Sequence, residues 1–302
     1  MTRRRRYRLP INLAAGVMSP INWCESIKNF EDSRMIGALR EHLGGQLHRF
    51  RSKLALHRVL SQEADLFAPE EWGRSILNPT GYYLDCVRYF HGPHFPEELK
   101  KHREYFLQDQ RGFGEDAFHV MWWMLFREMR PERFLEIGVY RGQTISLAAL
   151  LHRTLGIEGS VVGISPFSSA GDSVSTYRAN LDYLEDTQTS FRAFGLAAPE
   201  LLRAYSTDPI ATDRVRQESW DAVYIDGNHD YEVAKADWST CSGSVRAGGI
   251  IVLDDSALGT KYRPPHFATA GHPGPSQLAA EIDTTVFREI LRVGHNRVFQ
   301  KQ

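Results

Sequence analysis

Three aspartates and one histidine follow two apolar runs of the sequence. The run in WDAVYIDGNHDY ends at Asp226, and His229 comes three residues later. The run in GIIVLDDS ends at Asp254 and Asp255. If the two runs are neighbouring parallel strands, their carboxyl ends meet at one edge of a sheet and bring these side chains together. That arrangement suits a hard divalent cation with a base beside it.

The chemistry of this cluster has a catalytic and a structural interpretation. Clustered carboxylates raise one another's pKa unless a cation lies between them, and oxygen ligands favour Mg²⁺, Ca²⁺ or Mn²⁺ over zinc. Imidazole titrates near neutral pH, so His229 could take a proton from a hydroxyl held by the cation. Alternatively, Asp254 or Asp255 caps a turn, Asp226 accepts backbone hydrogen bonds, and His229 only stabilises a loop.

Alternating strands and helices must position these residues. Apolar runs predict strands, and 3.6-residue periodicity predicts helices, from about residue 118 onward. The predicted strands are residues 133–137, 160–165, 201–206, 221–226 and 249–254, and the predicted helices are residues 143–155, 174–194, 211–218 and 231–245. This alternation predicts an α/β fold with a doubly wound, mostly parallel sheet. A short helix at residues 276–282 and an antiparallel hairpin of residues 285–293 and 297–300 complete the prediction.

The first third of the sequence has a different pattern. Residues 1–115 are rich in charge and carry helical spacing, for example between residues 33 and 60. They predict a helical N-terminal region that caps the site or forms a homo-oligomer, followed by an α/β domain at residues 116–302. The basic run Arg3 to Arg6 is interpreted as a solvated tail, because no further basic clusters interleave with aromatic residues.

Composition excludes several classes of protein. The chain has 36 Lys and Arg against 37 Asp and Glu, a net charge of −1, so no overall field favours nucleic acid or a membrane surface. No apolar run is long enough to span a bilayer. Three separated cysteines suggest neither a disulfide framework nor a zinc site, and a reducing cytoplasm fits best. A small neutral or polar substrate is compatible with this composition.

A second polar rim follows the other predicted strands. Glu136 ends the first strand, and Gly138 and Gly142 would let the backbone turn sharply towards a ligand. The spacing is not that of a dinucleotide-binding GxGxxG motif, and a tight turn without a ligand is the alternative. Polar residues at or just past the strand ends indicate a polar ligand along the rim: Glu136, Ser165, Ser206, Asp208, Asp226 and Asp254.

These motifs, in this order, resemble class I S-adenosylmethionine-dependent methyltransferases over about residues 118–302. The narrower resemblance is to the metal-dependent macrolide-sugar O-methyltransferases, of macrocin and mycinamicin, and to cephalosporin hydroxylase-like relatives. It implies a Rossmann-like methyltransferase sheet with S-adenosyl-L-methionine and Mg²⁺ (or Mn²⁺) as cofactors. It also implies that the methionine end of the cofactor lies at Glu136, Gly138 and Gly142, with Tyr140 beside it. Asp226, Asp254 and Asp255 would bind the cation, and His229 would act as general base.

One position departs from the family pattern. Ser165 stands where the family places an acidic residue to bind the cofactor ribose, and a serine lacks the two acceptor oxygens of a carboxylate. Cofactor binding is then weaker, or it relies on Ser206 and Asp208. Arg141 and Tyr231 are the predicted acceptor contacts.

The sequence thus predicts a cation-dependent O-methyltransferase acting on a hydroxyl of a sugar, a glycosylated metabolite or another small molecule. The alternatives are a metal-independent small-molecule methyltransferase and a non-catalytic binding protein that keeps the fold. Ser165 favours the last of these, whereas the intact aspartate and histidine set opposes it.

Overall fold

The computed structural model describes residues 68–302. The helical pattern between residues 33 and 60 and the basic run Arg3 to Arg6 lie outside the described residues. The proposed boundary at residue 115 stays a prediction. Among residues 68–302, no helix combines the length and apolar character needed to cross a membrane.

A seven-stranded sheet forms the centre of the described structure, with strand order β3-β2-β1-β4-β5-β7-β6. The first five strands are parallel, and β7 runs antiparallel to both β5 and β6. The predicted doubly wound sheet with a C-terminal hairpin is therefore confirmed. The strands are β1 Arg133–Ile137, β2 Ser160–Ser165, β3 Glu200–Arg203, β4 Trp220–Ile225, β5 Val245–Leu253, β6 Phe287–Val293 and β7 Asn296–Lys301.

Helices cover both faces of this sheet. Along β4, Ala222 and Tyr224 face one apolar cluster while Val223 and Ile225 face the other, as expected for a strand buried on both sides. Helices α2 to α6 pack on the first face and α7 to α9 on the second. The helices are α1 Gly73–Leu77, α2 Pro79–His91, α3 Glu97–Leu107, α4 Asp116–Met129, α5 Gln143–Leu155, α6 Tyr183–Ala193, α7 Pro209–Arg216, α8 Tyr231–Ser244 and α9 Pro273–Glu281.

The helix predicted at residues 174–194 is shorter than expected. It begins at Tyr183, where the Asp182 side chain accepts a hydrogen bond from a backbone amide of the first turn. Residues 166–182 form an irregular loop instead. In this loop Asp172 accepts hydrogen bonds from the backbone amides of Val174 and Ser175, which gives the backbone an alternative to a helix.

A buried polar chain joins α3, α4 and α5. The His102 Nδ1 lies 3.1 Å from His119 Nε2, and the His102 Nε2 lies 2.9 Å from Ser146 Oγ. The His119 Nδ1 lies 3.1 Å from the Glu115 carbonyl oxygen, which fixes this nitrogen as a donor. Burial lowers the pKa of His102 well below its usual value, and it lowers the pKa of His119 to about 3. Both imidazoles are therefore neutral in the folded protein at neutral pH.

Acid should destabilise the fold through this pair. Below the ordinary histidine pKa of about 6.5 the unfolded chain binds protons that the folded chain excludes, so unfolding becomes easier as pH falls. Each histidine contributes up to about 1.4 kcal/mol per pH unit in the range between the two pKa values. Urea unfolding at several pH values between neutral and mildly acidic should show this slope. His119→Gln should reduce the slope, whereas replacing the exposed His94 by Gln should leave it unchanged; equal slopes in both variants would contradict the assignment.

Candidate active site

A cavity of about 650 Å³ lies beyond the carboxyl ends of the parallel strands. Its walls come from the segments that follow β1 to β5, and the loop after Asp255 contributes His266, Phe267 and His272. This is the edge at which ligands bind in doubly wound sheets. Most of the predicted site residues line it: Glu136, Gly138, Tyr140, Ser165, Ser206, Asp226, His229, Asp254 and Asp255.

The turn after β1 forms one wall. Gly138 has a φ of 92°, and a Cβ there would lie 2.0 Å from the carbonyl oxygen of Asp226, so only glycine fits. Gly142 has a φ of 87° and is the N-cap residue of α5, but it does not line the cavity. The two glycines therefore have different uses. Gly138 allows the β1 turn to approach the end of β4, and Gly142 starts the helix.

Glu136 places a buried carboxylate at the same wall. It accepts hydrogen bonds from the Ile145 backbone amide and from the Thr144 side chain at the start of α5. Its Oε2 is buried and has no hydrogen-bond partner among the described residues. Burial raises the pKa of Glu136 to about 8, and the hydrogen bonds only partly offset this effect. An ammonium or hydroxyl donor of a ligand would satisfy the remaining oxygen.

Asp226 and Asp254 form a hydrogen-bonded carboxyl pair on the adjoining wall. Burial and the neighbouring Asp254 charge raise the pKa of Asp226 well above its usual value. Although burial opposes ionisation of Asp254, the His295 imidazolium and the hydrogen bond from Asp226 lower its pKa to about 2. The pair therefore shares one proton, held on Asp226. Asp255 follows directly, with a φ of 49° that turns the chain sharply after β5.

His229 lies between two carboxylates. Its Nδ1 is 2.6 Å from Asp172 Oδ2, and its Nε2 is 3.0 Å from Asp255 Oδ2. The same Asp172 oxygen accepts the His229 backbone amide at 2.9 Å. Burial opposes protonation, but hydrogen bonds and charge from Asp255 and Asp172 prevail and raise the pKa of His229 to about 9. The structure thus places His229 beside Asp255, one of the predicted aspartates, and adds Asp172 as its second partner.

Asp172 was not predicted from the sequence to belong to this site, and His272 and His295, as loop histidines, had weaker claims than His229. The His295 Nε2 lies 3.1 Å from Asp254 Oδ1, and the His272 Nε2 lies 3.6 Å from Asp255 Oδ2. Asp172 lies in the connection between the predicted second strand and the helix predicted at residues 174–194, where no motif marked it. His295 belongs to the tight turn of the terminal hairpin. The position of this turn relative to β5 could not be predicted from the pattern of apolar and polar residues.

Two predicted acceptor contacts do not line the cavity. The Arg141 side chain is 1% exposed and forms ion pairs with Asp186 and Asp109. The Tyr231 hydroxyl donates a hydrogen bond to Glu281 at 2.5 Å on the outer side of α8. Both residues follow a strand closely in sequence, but their side chains point away from the rim.

Of the three cofactor residues predicted after β2 and β3, two line the cavity and one does not. The Ser165 hydroxyl lines the cavity and donates to the Val139 carbonyl oxygen at 2.9 Å. Ser206 also lines the cavity, whereas Asp208 accepts the Tyr205 amide at 2.9 Å and precedes α7. Of the two residues expected to compensate for Ser165, the structure therefore brings only Ser206 to the cavity.

Comparison with known proteins agrees with this fold. A family model described as a methyltransferase domain matches residues 135–256, from β1 to the turn after Asp255. No curated protein sequence matches the chain. The SAH-bound methyltransferase PaMTH1 of Podospora anserina has a TM-score of 0.50 and 16% identity, covering 80% of this chain and 99% of that one. An O-methyltransferase of Bacillus cereus in complex with SAH has a TM-score of 0.47 and 15% identity, covering 77% and 100%. The described structure has the Rossmann-like methyltransferase fold.

Replacing Gly138 tests how much the close approach to Asp226 contributes to stability beyond the cost of a positive φ. Gly138→Ala places a methyl group against the Asp226 carbonyl oxygen and should cost on the order of 3 kcal/mol or more of unfolding free energy. Gly156→Ala is the matched control, because Gly156 also has a positive φ but its Cβ would meet no atom within 4 Å. The control should cost only roughly 1–2 kcal/mol. Equal losses in urea unfolding would show that the close approach to Asp226 is unimportant.

Proposed function

We propose that this protein is an S-adenosyl-L-methionine-dependent O-methyltransferase that uses Mg²⁺ or Mn²⁺. Its acceptor is a hydroxyl of a sugar, a glycosylated metabolite or another small molecule. The observation that carries the proposal is that the Gly138 turn and the Asp226, Asp254 and Asp255 cluster open into one cavity. The methyltransferase-domain match over residues 135–256 and the fold shared with an SAH-bound methyltransferase support it.

The β1 side of the cavity suits the methyl donor. S-adenosyl-L-methionine carries a sulfonium whose methyl group needs no activation by the protein. The unsatisfied Glu136 oxygen suits the ammonium of its methionine portion, and the backbone at Gly138 allows close approach. Ser165 and Ser206 offer hydroxyl groups, and Tyr140 packs 5.5 Å from Tyr177 in ring-to-ring contact at the same rim. The protein's contribution at this wall is to bind and orient the donor.

The β4 and β5 side suits a cation and the acceptor. The donor atoms of Asp226, Asp254 and Asp255 are all carboxylate oxygens, the ligand type that Mg²⁺ and Mn²⁺ accept. The Asp254 Oδ1, which has no well-aligned hydrogen bond among the described residues, is compatible with cation binding at this place. A bound divalent cation would lower the pKa of an acceptor hydroxyl and hold it in position.

His229 is the proposed general base. Its Nδ1 proton is held by Asp172, so its Nε2 is the atom directed to Asp255 and the cavity. At neutral pH the imidazole keeps a second proton as long as Asp255 remains its partner. If a cation were bound by Asp255, His229 would lose that stabilisation, and its Nε2 could then accept the proton of the acceptor hydroxyl. Asp172 keeps the ring oriented throughout.

Calorimetry with S-adenosylhomocysteine, with and without Mg²⁺, tests the two halves of the cavity separately. We expect binding in both conditions, because the donor wall is formed without the aspartates. Methyl transfer from radiolabelled donor to a panel of sugar and glycoside acceptors should then stop when a chelator is added. Failure to bind S-adenosylhomocysteine would favour the non-catalytic alternative, and chelator-resistant transfer would favour the metal-independent one.

Asp226→Asn tests the role of the carboxylate pair. The amide keeps the size of the side chain but cannot ionise, so we expect methyl transfer to fall by about a hundredfold or more with little change in thermal unfolding. Asp213→Asn is the control, because Asp213 lies on the exposed face of α7. Near-normal transfer by Asp226→Asn in the same assay would remove Asp226 from the mechanism.

A further inference from the structure

His295 is fixed against the turn that carries the aspartates. It lies in the tight turn between β6 and β7, and its carbonyl oxygen accepts the Ser256 backbone amide at 2.9 Å. The Ser256 hydroxyl lies 3.4 Å from the same oxygen. Ser256 directly follows Asp254 and Asp255, so these contacts join the hairpin turn to the end of β5. The backbone thereby directs the His295 imidazole to the cavity wall that holds the carboxylates.

The His295 imidazole and the carboxylates converge, but their atoms are not aligned for a hydrogen bond at the closest oxygen. The Asp254 carboxylate is 8% exposed as a residue, and its Oδ1 has no hydrogen bond of acceptable geometry among the described residues. Yet His295 Nε2 lies only 3.1 Å from that oxygen. One ligand atom each of His295, Asp254 and Asp255 lies within 4.8 Å of the other two. Close atoms that are poorly aligned for a hydrogen bond are compatible with a common third partner between them.

We propose that His295, as a neutral imidazole, is a ligand of the cation at this site, beside Asp254 and Asp255. The cation would take the place of the proton that the imidazolium carries without it. An imidazole nitrogen is a ligand that first-row transition metals prefer and that Mg²⁺ does not, so the site would select Mn²⁺, Fe²⁺ or Co²⁺ over Mg²⁺. This inference rests on the proposed cation site but is independent of methyl transfer. It also leaves His229 free to act as the base.

The two other histidines of the cavity are weaker candidates for this role. His229 already has a carboxylate at each ring nitrogen, Asp172 and Asp255. The His272 side chain is 31% exposed, against 14% for His295, and lies further from its carboxylate at 3.6 Å. His229, Asp255 and His272 nevertheless bring ligand atoms within 4.8 Å of one another, so they form the competing set that an experiment must exclude.

Pulsed electron paramagnetic resonance of Mn²⁺ bound to the full-length, chelator-stripped protein tests the proposal. Echo modulation from a directly bound imidazole nitrogen should appear in the wild-type protein. It should disappear in His295→Gln and persist in His272→Gln and His229→Gln, which are matched controls of the same chemistry.

Calorimetry should show Mn²⁺ affinity falling by about tenfold or more in His295→Gln, while Mg²⁺ affinity changes by less than about threefold.

Each other outcome contradicts the proposal in a distinct way. Bound Mn²⁺ without nitrogen modulation would overturn the role of His295 and leave an all-oxygen cation site. Loss of the signal in His272→Gln or His229→Gln, with retention in His295→Gln, would assign the nitrogen to the competing set. No binding of either cation would overturn both this inference and the cation part of the proposed function, even if S-adenosylhomocysteine still binds. Circular dichroism checks folding, and His295→Asn provides a second variant if His295→Gln is unstable.

Discussion

The close approach of the β1 turn to the end of β4 is the constraint on which the site depends. Gly138 meets the backbone of Asp226 with no room for a side chain, so the two strand ends form adjoining walls of one cavity. A larger separation would place Glu136 and the aspartates in different environments. With the contact in place, a ligand on the β1 side lies next to whatever binds at Asp226 and Asp254. The shared cavity is what makes transfer of a group between two ligands feasible.

The second constraint is the concentration of acidic side chains in a site that is largely buried. Isolated ionised carboxylates would be costly there, and the protein neutralises them locally. Asp226 keeps a proton, His295 approaches Asp254, and His229 lies between Asp172 and Asp255. These contacts come from four separate segments of the chain. The charge balance of the site is therefore a property of the assembled fold.

Much of the fold could be predicted because local patterns were strong. The bounds of β1, β2 and α5 agree with the predicted residues 133–137, 160–165 and 143–155, since apolar runs bounded by turns leave few alternatives. The helix predicted at residues 174–194 was too long because the side chain of Asp172 hydrogen-bonds to nearby backbone amides. The periodicity of apolar residues gives no sign of such hydrogen bonds between a side chain and the nearby backbone. Arg141 and Tyr231 follow β1 and β4 as the sequence predicted, but sequence position could not give the direction of their side chains.

The sequence by itself determined the α/β alternation, the terminal hairpin, the glycine turn and the positions of Asp226, His229, Asp254 and Asp255 at or just past the ends of two strands. Each of these follows from residue types at short spacing, where backbone geometry dictates the outcome. Only the tertiary structure decided that Asp172 holds His229, that His295 reaches Asp254, and that Asp208 does not line the cavity. Those facts depend on contacts between segments far apart in the chain. No local pattern encodes such distances, because packing sets them.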